Sequence, residues 1–600
     1  MRGFSSSFFY PNGGRLSALV ALALLLLGCV NVPILAANKL FDKGKSKYKI
    51  VLAPSASTSE KTAAGELRQY IKEISGAELA IVNDLNCSGA RIFVGYNSRV
   101  EQLIGRKNIK DDDESYTYLS KGKDLFIYGG KQRGTMYGVY AFLENELGCR
   151  WYTPSFSKIP KQDKWSFKTL NHSESPALKY RYSNYYSVAD DDAWSAHNKE
   201  NMKWTARATE YGNLEAYWSA HTMGQFVSEK EYFDTHPEYF AMKEGKRIKR
   251  GQLCLSNPEV LRICTEGLLK VMEEKPLYRI YSLSQNDNFG FCECDECKKI
   301  EAQYGGHSGI ILWFVNQAAD AAKKLFPNKY VGTFAYQYGR KPPVGIVPRD
   351  NVVIRLCSIE CCFGHPLEAN CPQNKAFMED LKGWSKIAPH LFIWDYIVNY
   401  AQYVAPWPNF QVLGPNIQTF KDNNAIGVFE EAMYQRGGAC EFSDMKAWVV
   451  TKLLWNPKQD VNVLVKDFID GYYGKSAGKI WEYYQLCQSL VVPDKHYGIY
   501  IRSDDPIYSD EFVMKGEALL NEAVRLAENN NVKDRAEEVR FQILYLKFTR
   551  NKERSFKDGT WDELKRLMEK FDVRVGKGYE GKSFINDNEN YKKKLEAAQN

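Results

Sequence analysis

Between about residues 177 and 458, short apolar runs alternate with stretches of helical periodicity. That alternation restricts the architecture more than any other feature of the chain. A strand followed by a helix and another strand builds a parallel sheet, because each strand must return over the sheet before the next begins. Eight candidate strands lie near residues 179–186, 216–221, 252–256, 279–285, 330–337, 352–357, 391–396 and 425–430. The clearest helix between them spans 309–325, ahead of Pro327, and another covers 374–387. The count and the segment length predict a (β/α)8 barrel with loop insertions.

Different patterns flank this region. Residues 40–165 read as a small α+β domain. A strand at 48–52 leads into Ser57 and Glu60, spaced as a capping box, and then Ala63, Leu67, Ile71 and Ile74 repeat at helical spacing up to Gly76. Strand-like runs follow at 78–82, 91–95 and 124–128, and a second helix starting near Thr135 carries Met136, Val139, Tyr140 and Leu143 on one face. Residues 154–176 are rich in Ser, Lys and Pro and read as a linker. From 459 to 600 the chain reads as successive helices, with Val461, Leu464, Val465 and Phe468 on one face and Leu519, Ala523 and Leu526 on another, a supporting cap to the barrel.

Residues 1–37 read as an export leader. Arg2 and Arg15 precede an apolar run, 19–27, too short to span a bilayer. It ends in Leu26-Leu27-Gly28-Cys29, which resembles a lipobox and would make Cys29 a lipidated residue; cleavage near Ala36-Ala37 is the alternative. The expected location is the cell envelope (outer membrane or periplasm) or the exterior, with membrane contact only through a lipid anchor. The net charge is +7 without a basic block, which gives no footprint for nucleic acid. Export places the remaining cysteines of the 14 in an oxidising space. Cys292, Cys294 and Cys297 form a Cys-x-Cys-x-x-Cys cluster with metal-ligand spacing. Zinc is one reading, with Cys254 or Cys264 as the fourth ligand; disulfides or free buried thiols are the other. No other cofactor is expected.

In a (β/α)8 barrel the reacting groups sit at the C-terminal ends of the strands. Here those ends read Ser284-Gln285-Asn286-Asp287-Asn288, Cys357-Ser358-Ile359-Glu360, Trp394-Asp395-Tyr396 and Phe429-Glu430-Glu431, so carboxylates follow four strands. Glycoside hydrolysis needs one carboxylic acid to protonate the leaving oxygen and a second group to stabilise or attack the oxocarbenium-like centre. Glu360 and Asp287 are the candidate catalytic pair. His221, Asn286, Tyr336, His365, Trp394, Asp395, Tyr396, Asn399 and Glu430 are candidate substrate contacts, with Tyr338, Tyr400, Tyr403 and Trp407 in the same loops. Aromatic residues make up 14% of the chain, a share that suits either sugar-stacking faces or a large core. Strand-end acids that only cap helices or pair with arginine are the plainer reading.

These segments resemble the bacterial domain of unknown function family 4838, part of which is classed as glycoside hydrolase family 163. The resemblance rests on Ser284-Gln285-Asn286-Asp287, the cysteine cluster, Ala335-Tyr336, Glu360 with Phe363 and His365-Pro366, Trp394-Asp395-Tyr396 with Asn399-Tyr400, His236-Pro237-Glu238-Tyr239-Phe240 and 452–457. The run 133–140 resembles the accessory domain that precedes the barrel in family 20 hexosaminidases and family 67 α-glucuronidases. The resemblance implies a glycan substrate and an endo-β-N-acetylglucosaminidase that cuts the chitobiose core of N-glycans. By similarity to family 20, it also implies retaining chemistry in which the substrate acetamide participates. Family 20 carries Asp-Glu after the fourth strand and this chain carries Asn286-Asp287, so the acid is expected from elsewhere, at Glu360, with Asp287 orienting the acetamide. Two alternatives stand beside this. One is an α-glucuronidase using Arg340 or Arg355 for the uronate; the other is a glycan-binding lipoprotein without catalysis.

Overall fold

The computed structural model describes residues 37–599; Cys29 and the lipobox lie outside them. The N-terminal unit is a six-stranded mixed sheet. Its order is Asn171–Glu174, Tyr116–Lys121, Asp124–Gly129, Ala90–Val94, Tyr48–Leu52, Ala80–Val82. Period-two alternation divides the side chains between its faces. Ile50, Ile92, Leu125 and Ile127 join Ala63, Leu67 and Ile71 of the helix Thr58–Ser75 and residues of the helix Gly134–Asn145 in one core. Val51, Phe93 and Phe126 turn the other way, against Val100. The Ser57–Glu60 capping box forms, and Gly76 ends the helix with φ 76°.

The stretch 154–176 is not a linker. Lys164–Phe167 pairs with Asn38–Asp42, and Asn171–Glu174 forms the edge of the six-stranded sheet. Trp165 and Phe167 pack into the domain core. Loop-like composition is overridden here by a few aromatic anchors and the open edges of two sheets.

The central sheet has seven strands, all parallel, in the order Tyr180–Asn184, Ala425–Glu431, Leu391–Tyr396, Val352–Cys357, Tyr330–Ala335, Ile280–Ser282, Tyr217–Trp218. The expected strand at 252–256 does not form. Cys254 accepts a turn hydrogen bond from Asn257 N, which directs the chain into the helix Pro258–Glu274. The eighth stave comes instead from an irregular segment around Asn201. Asn201 N donates to Arg181 O, Glu215 N donates to Asn201 O, and Met202 bridges Glu215 in parallel, which spans the gap between the first strand and Tyr217–Trp218. The molecule is thus an α/β barrel preceded by an α/β domain and followed by helices.

The lumen is packed. Arg355 is fully buried at its axis, with its guanidinium 4.2 Å from the Trp394 ring centroid, 4.4 Å from Tyr217 and 4.7 Å from Phe429. Gly332 makes room for Tyr217, whose hydroxyl oxygen would lie 1.7 Å from any Cβ there.

Buried ion pairs fasten the N-terminal domain to the barrel. Glu114 lies between Arg133 and Arg181, with 2.5 Å contacts to each, and also accepts from Asn201 Nδ2. Lys452 reaches Glu144 at 2.5 Å, and Asp467 accepts from Arg150 and Tyr152. At the other end of the chain, the hairpin formed by Arg574–Gly576 and Tyr579–Glu580 folds back on the loop after Leu391–Tyr396. Tyr403 N donates to Val575 O and Lys577 N to Tyr400 O. Gly576 permits this approach, since a Cβ would stand 2.7 Å from Ala401 O. No helix among the described residues is long and apolar enough to cross a membrane.

Candidate active site

A cavity of about 250 Å³ opens at the C-terminal ends of the barrel strands. Its walls are largely aromatic: Trp204, Phe334, Tyr336, Trp394, Tyr396, Tyr400 and Tyr434. Two carboxylates, Asp287 and Glu431, line it together with His221 and Lys577.

Strand alternation decides which acids face this space. On Leu391–Tyr396, Trp394 and Tyr396 point into the barrel, so Asp395 between them points out. On Ala425–Glu431, Phe429 and Glu431 point in and Glu430 points out. The two outward acids are register partners on adjacent strands. Asp395 is bonded by the Ser358 hydroxyl. Burial pushes Asp395 up to about 6, and burial together with the Asp395 charge lifts Glu430 well above the ordinary carboxylate range. Both lie behind the barrel wall, where the Glu430 oxygens have no hydrogen-bond partner among the described residues, and neither lines the cavity, contrary to the expectation for both residues.

Glu431 is the inward acid and is 5% exposed. Burial raises its carboxyl above the ordinary range, against the opposing effects of Tyr400, Lys577 and Trp394. Trp394 Nε1 donates to one of its oxygens at 2.5 Å, which leaves the other oxygen to carry a proton. Asp287 stands at the exposed mouth on the loop after Ile280–Ser282 and accepts from the Tyr336 hydroxyl at 3.2 Å. His221 holds its ring through Nδ1, 2.8 Å from the carbonyl oxygen of Gln285. A carbonyl only accepts, so Nδ1 carries the hydrogen and Nε2 of the neutral ring is left as an acceptor.

The cavity gathers Asp287, Tyr336, Trp394, Tyr396 and His221 from the sequence-based set, and Tyr400 with them. The others lie elsewhere. Glu360 is an exposed residue bonded to Arg340 Nη1 at 2.7 Å and is not part of the lining, although its neighbour Ile359 is. Asn286 is spent on backbone, accepting from Gly224 N and donating to Gly251 O. Asn399 donates to Ile501 O at 2.7 Å and anchors the C-terminal region. His365 lies between Cys362 Sγ and Val492 O. Arg340 is occupied by Asp380 and Glu360, and Arg355 is covered by Trp394. Glu431, Trp204, Phe334, Tyr434 and Lys577 were not singled out from sequence. The inward phase of Phe429 and Glu431 was available as a signal; nothing local marks Lys577. Apart from the cavity, Cys254, Cys292, Cys294 and Cys297 come together behind the Asp287 loop, with the donor set of a thiolate metal site.

Among solved structures, the chain is similar to a family GH115 4-O-methyl-α-glucuronidase with specificity for decorated arabinogalactans. The TM-score is 0.57 at 12% identity, over 90% of this chain and 78% of that one. It is also similar to a GH138 enzyme targeting pectin rhamnogalacturonan II (TM-score 0.45, 12% identity, 92% and 100% covered) and to the Flavobacterium johnsoniae chitobiase of family GH20 (0.44, 11%, 92% and 97%). The fold is glycoside hydrolase-like. No curated protein matches the sequence. The domain of unknown function DUF4838 matches residues 151–485, more than half of the chain and most of the barrel with its first supporting helices, and the protein belongs to that family.

Proposed function

We propose that the protein is a glycoside hydrolase of N-acetylglucosamine-containing glycans that cuts within the chitobiose core of N-glycans. One observation carries this reading: Asp287 and Glu431, from opposite parts of the barrel sequence, open into a single aromatic-lined cavity of sugar size. Glu431 is the general acid. Its proton passes to the glycosidic oxygen as the bond from that oxygen to C1 breaks, while the carbonyl oxygen of the 2-acetamido group closes on C1. Asp287 accepts the acetamide N–H and stabilises the cationic ring that forms. Glu431, now a carboxylate, takes a proton from the water that reopens the ring, and the configuration at C1 is retained. Trp394 and Tyr396 offer flat faces to the sugar, and His221 Nε2 accepts from a hydroxyl. In this reading residues 1–37 are an export leader, and the activity belongs to the cell envelope, through Cys29, or to the exterior.

Lys577, the lone Lys or Arg in the cavity lining among the described residues, supports a second reading, in which the sugar is a uronate. Incubation with defined N-glycans and with glucuronosyl oligosaccharides, followed by mass analysis, separates the two. Cleavage between the two core N-acetylglucosamines is expected. Release of glucuronic acid alone would transfer the assignment to the second reading, and binding without any product would reject catalysis.

The pH profile tests the acid. A general acid must be protonated, so kcat/KM falls as pH rises through its pKa. Burial raises Glu431, and the alkaline limb is expected above the ordinary carboxylate range. Lys577 opposes that rise, so Lys577→Met should move the limb to still higher pH. A limb that stays in place or moves down after this change excludes Glu431 as the acid.

A further inference from the structure

We propose that Cys254, Cys292, Cys294 and Cys297 form a structural tetrathiolate zinc site that holds the Asp287 loop in place. Their four sulfurs all lie within 4.8 Å of one another. Cys254 Sγ is 3.7 Å from Cys294 Sγ and 3.8 Å from Cys297 Sγ. Zinc–thiolate bonds of about 2.3 Å in a tetrahedron put the sulfurs about 3.8 Å apart, whereas disulfide sulfurs are about 2.05 Å apart. None of the four is in a disulfide. Cys264 is buried on the helix Pro258–Glu274 outside the cluster, so Cys254 is the fourth ligand.

The surroundings suit an anionic cluster. Cys294 caps the helix Asp295–Tyr304 and Cys297 lies in its first turn, where the helix end favours negative charge. Met242 N donates to Cys292 Sγ at 3.3 Å, and Arg247 Nη1 approaches the same sulfur at 3.9 Å. Four thiolates around one divalent ion leave two negative charges, and these donors offset them, as outer-shell partners do in metal sites.

The cluster also explains how an exposed loop holds its shape. Gln252, two residues before Cys254, donates through Nε2 to the carbonyls of Asn286 and Asn288, at 2.8 and 2.7 Å, and accepts from Asn286 N at 2.8 Å. Its own N–H donates to Gly290 O. The loop then runs directly into Cys292. Metal bound to Cys254 and Cys292 therefore fixes the clamp and the end of the loop relative to each other. The positioning of Asp287 rests on the functional reading above; the metal site does not.

Elemental analysis of the full-length protein, purified without added metal, is expected to give one zinc per chain. Cobalt(II) exchanged into the site is expected to show thiolate charge-transfer bands and the strong visible bands of tetrahedral coordination. Cys294→Ser should lose the metal and Cys264→Ser should keep it. Removing zinc should speed amide exchange in residues 286–291 whatever the substrate proves to be. Four alkylatable thiols with no zinc or cobalt uptake, or two disulfides found by peptide mapping, would overturn the site. Zinc removal without a change in exchange would overturn its role in holding the loop.

Discussion

Glu431→Gln is expected to lower kcat/KM by roughly 10²–10⁴-fold, the range that a positioned acid contributes, and to leave the fold unchanged. The amide keeps the size of the carboxyl, and its oxygen can still accept from Trp394 Nε1, so the loss isolates the missing proton. Glu360→Gln is the matching control. That carboxylate is ion-paired with Arg340 outside the cavity lining, and its neutralisation should leave kcat close to wild type. Steady-state kinetics on the same glycan, with thermal melts of all three proteins, decide the matter. A large loss in Glu360→Gln beside an active Glu431→Gln would return the acid role to Glu360.

The second large effect is on stability. Glu114→Gln is expected to cost about 3–5 kcal/mol, the range for removing one partner from a buried ion pair. Here the loss leaves two guanidiniums, Arg133 and Arg181, facing each other out of water. Burial alone would raise the Glu114 carboxyl, but Arg181 and Arg133 outweigh it and hold it below its ordinary value. A depressed folded pKa means a contribution fully present above the unfolded-state pKa and lost as pH falls through the folded-state value. The mutant should therefore differ most from wild type near neutral pH and converge with it in acid. Denaturant unfolding at several pH values measures this, and a neutral-pH difference under about 1 kcal/mol would show that the pair is no better than a surface one.

The residues that announce themselves in the sequence do so through local periodicity. Val352–Cys357 and Leu391–Tyr396 are apolar runs interrupted only by Arg355 and Asp395, and both strands form at the expected residues. The expected strand at 252–256 has comparable composition, but Gln252 is bonded to the Asp287 loop and Cys254 O accepts the turn hydrogen bond that leads into the helix Pro258–Glu274. The segment around Asn201 has no apolar run; it becomes a stave because Arg181, Glu114 and Glu215 satisfy its polar groups. For the site, the strand ends pointed to the rim where the cavity opens but not to the inward phase. Asp395 and Glu430 look as reactive in one dimension as Glu431, and a single step of the pleat separates acids that face the cavity from acids that do not. Lys577 has no local signature, since it is brought to the cavity by a long return of the chain.

That return has a practical consequence. The hairpin around Lys577 lies beyond the residues that define the family, yet it supplies part of the wall against which a sugar would rest. Cutting the protein back to its recognisable core would breach the vessel around the acids. Exchanging that tail between relatives would alter both the wall and, through Lys577, the acidity of Glu431.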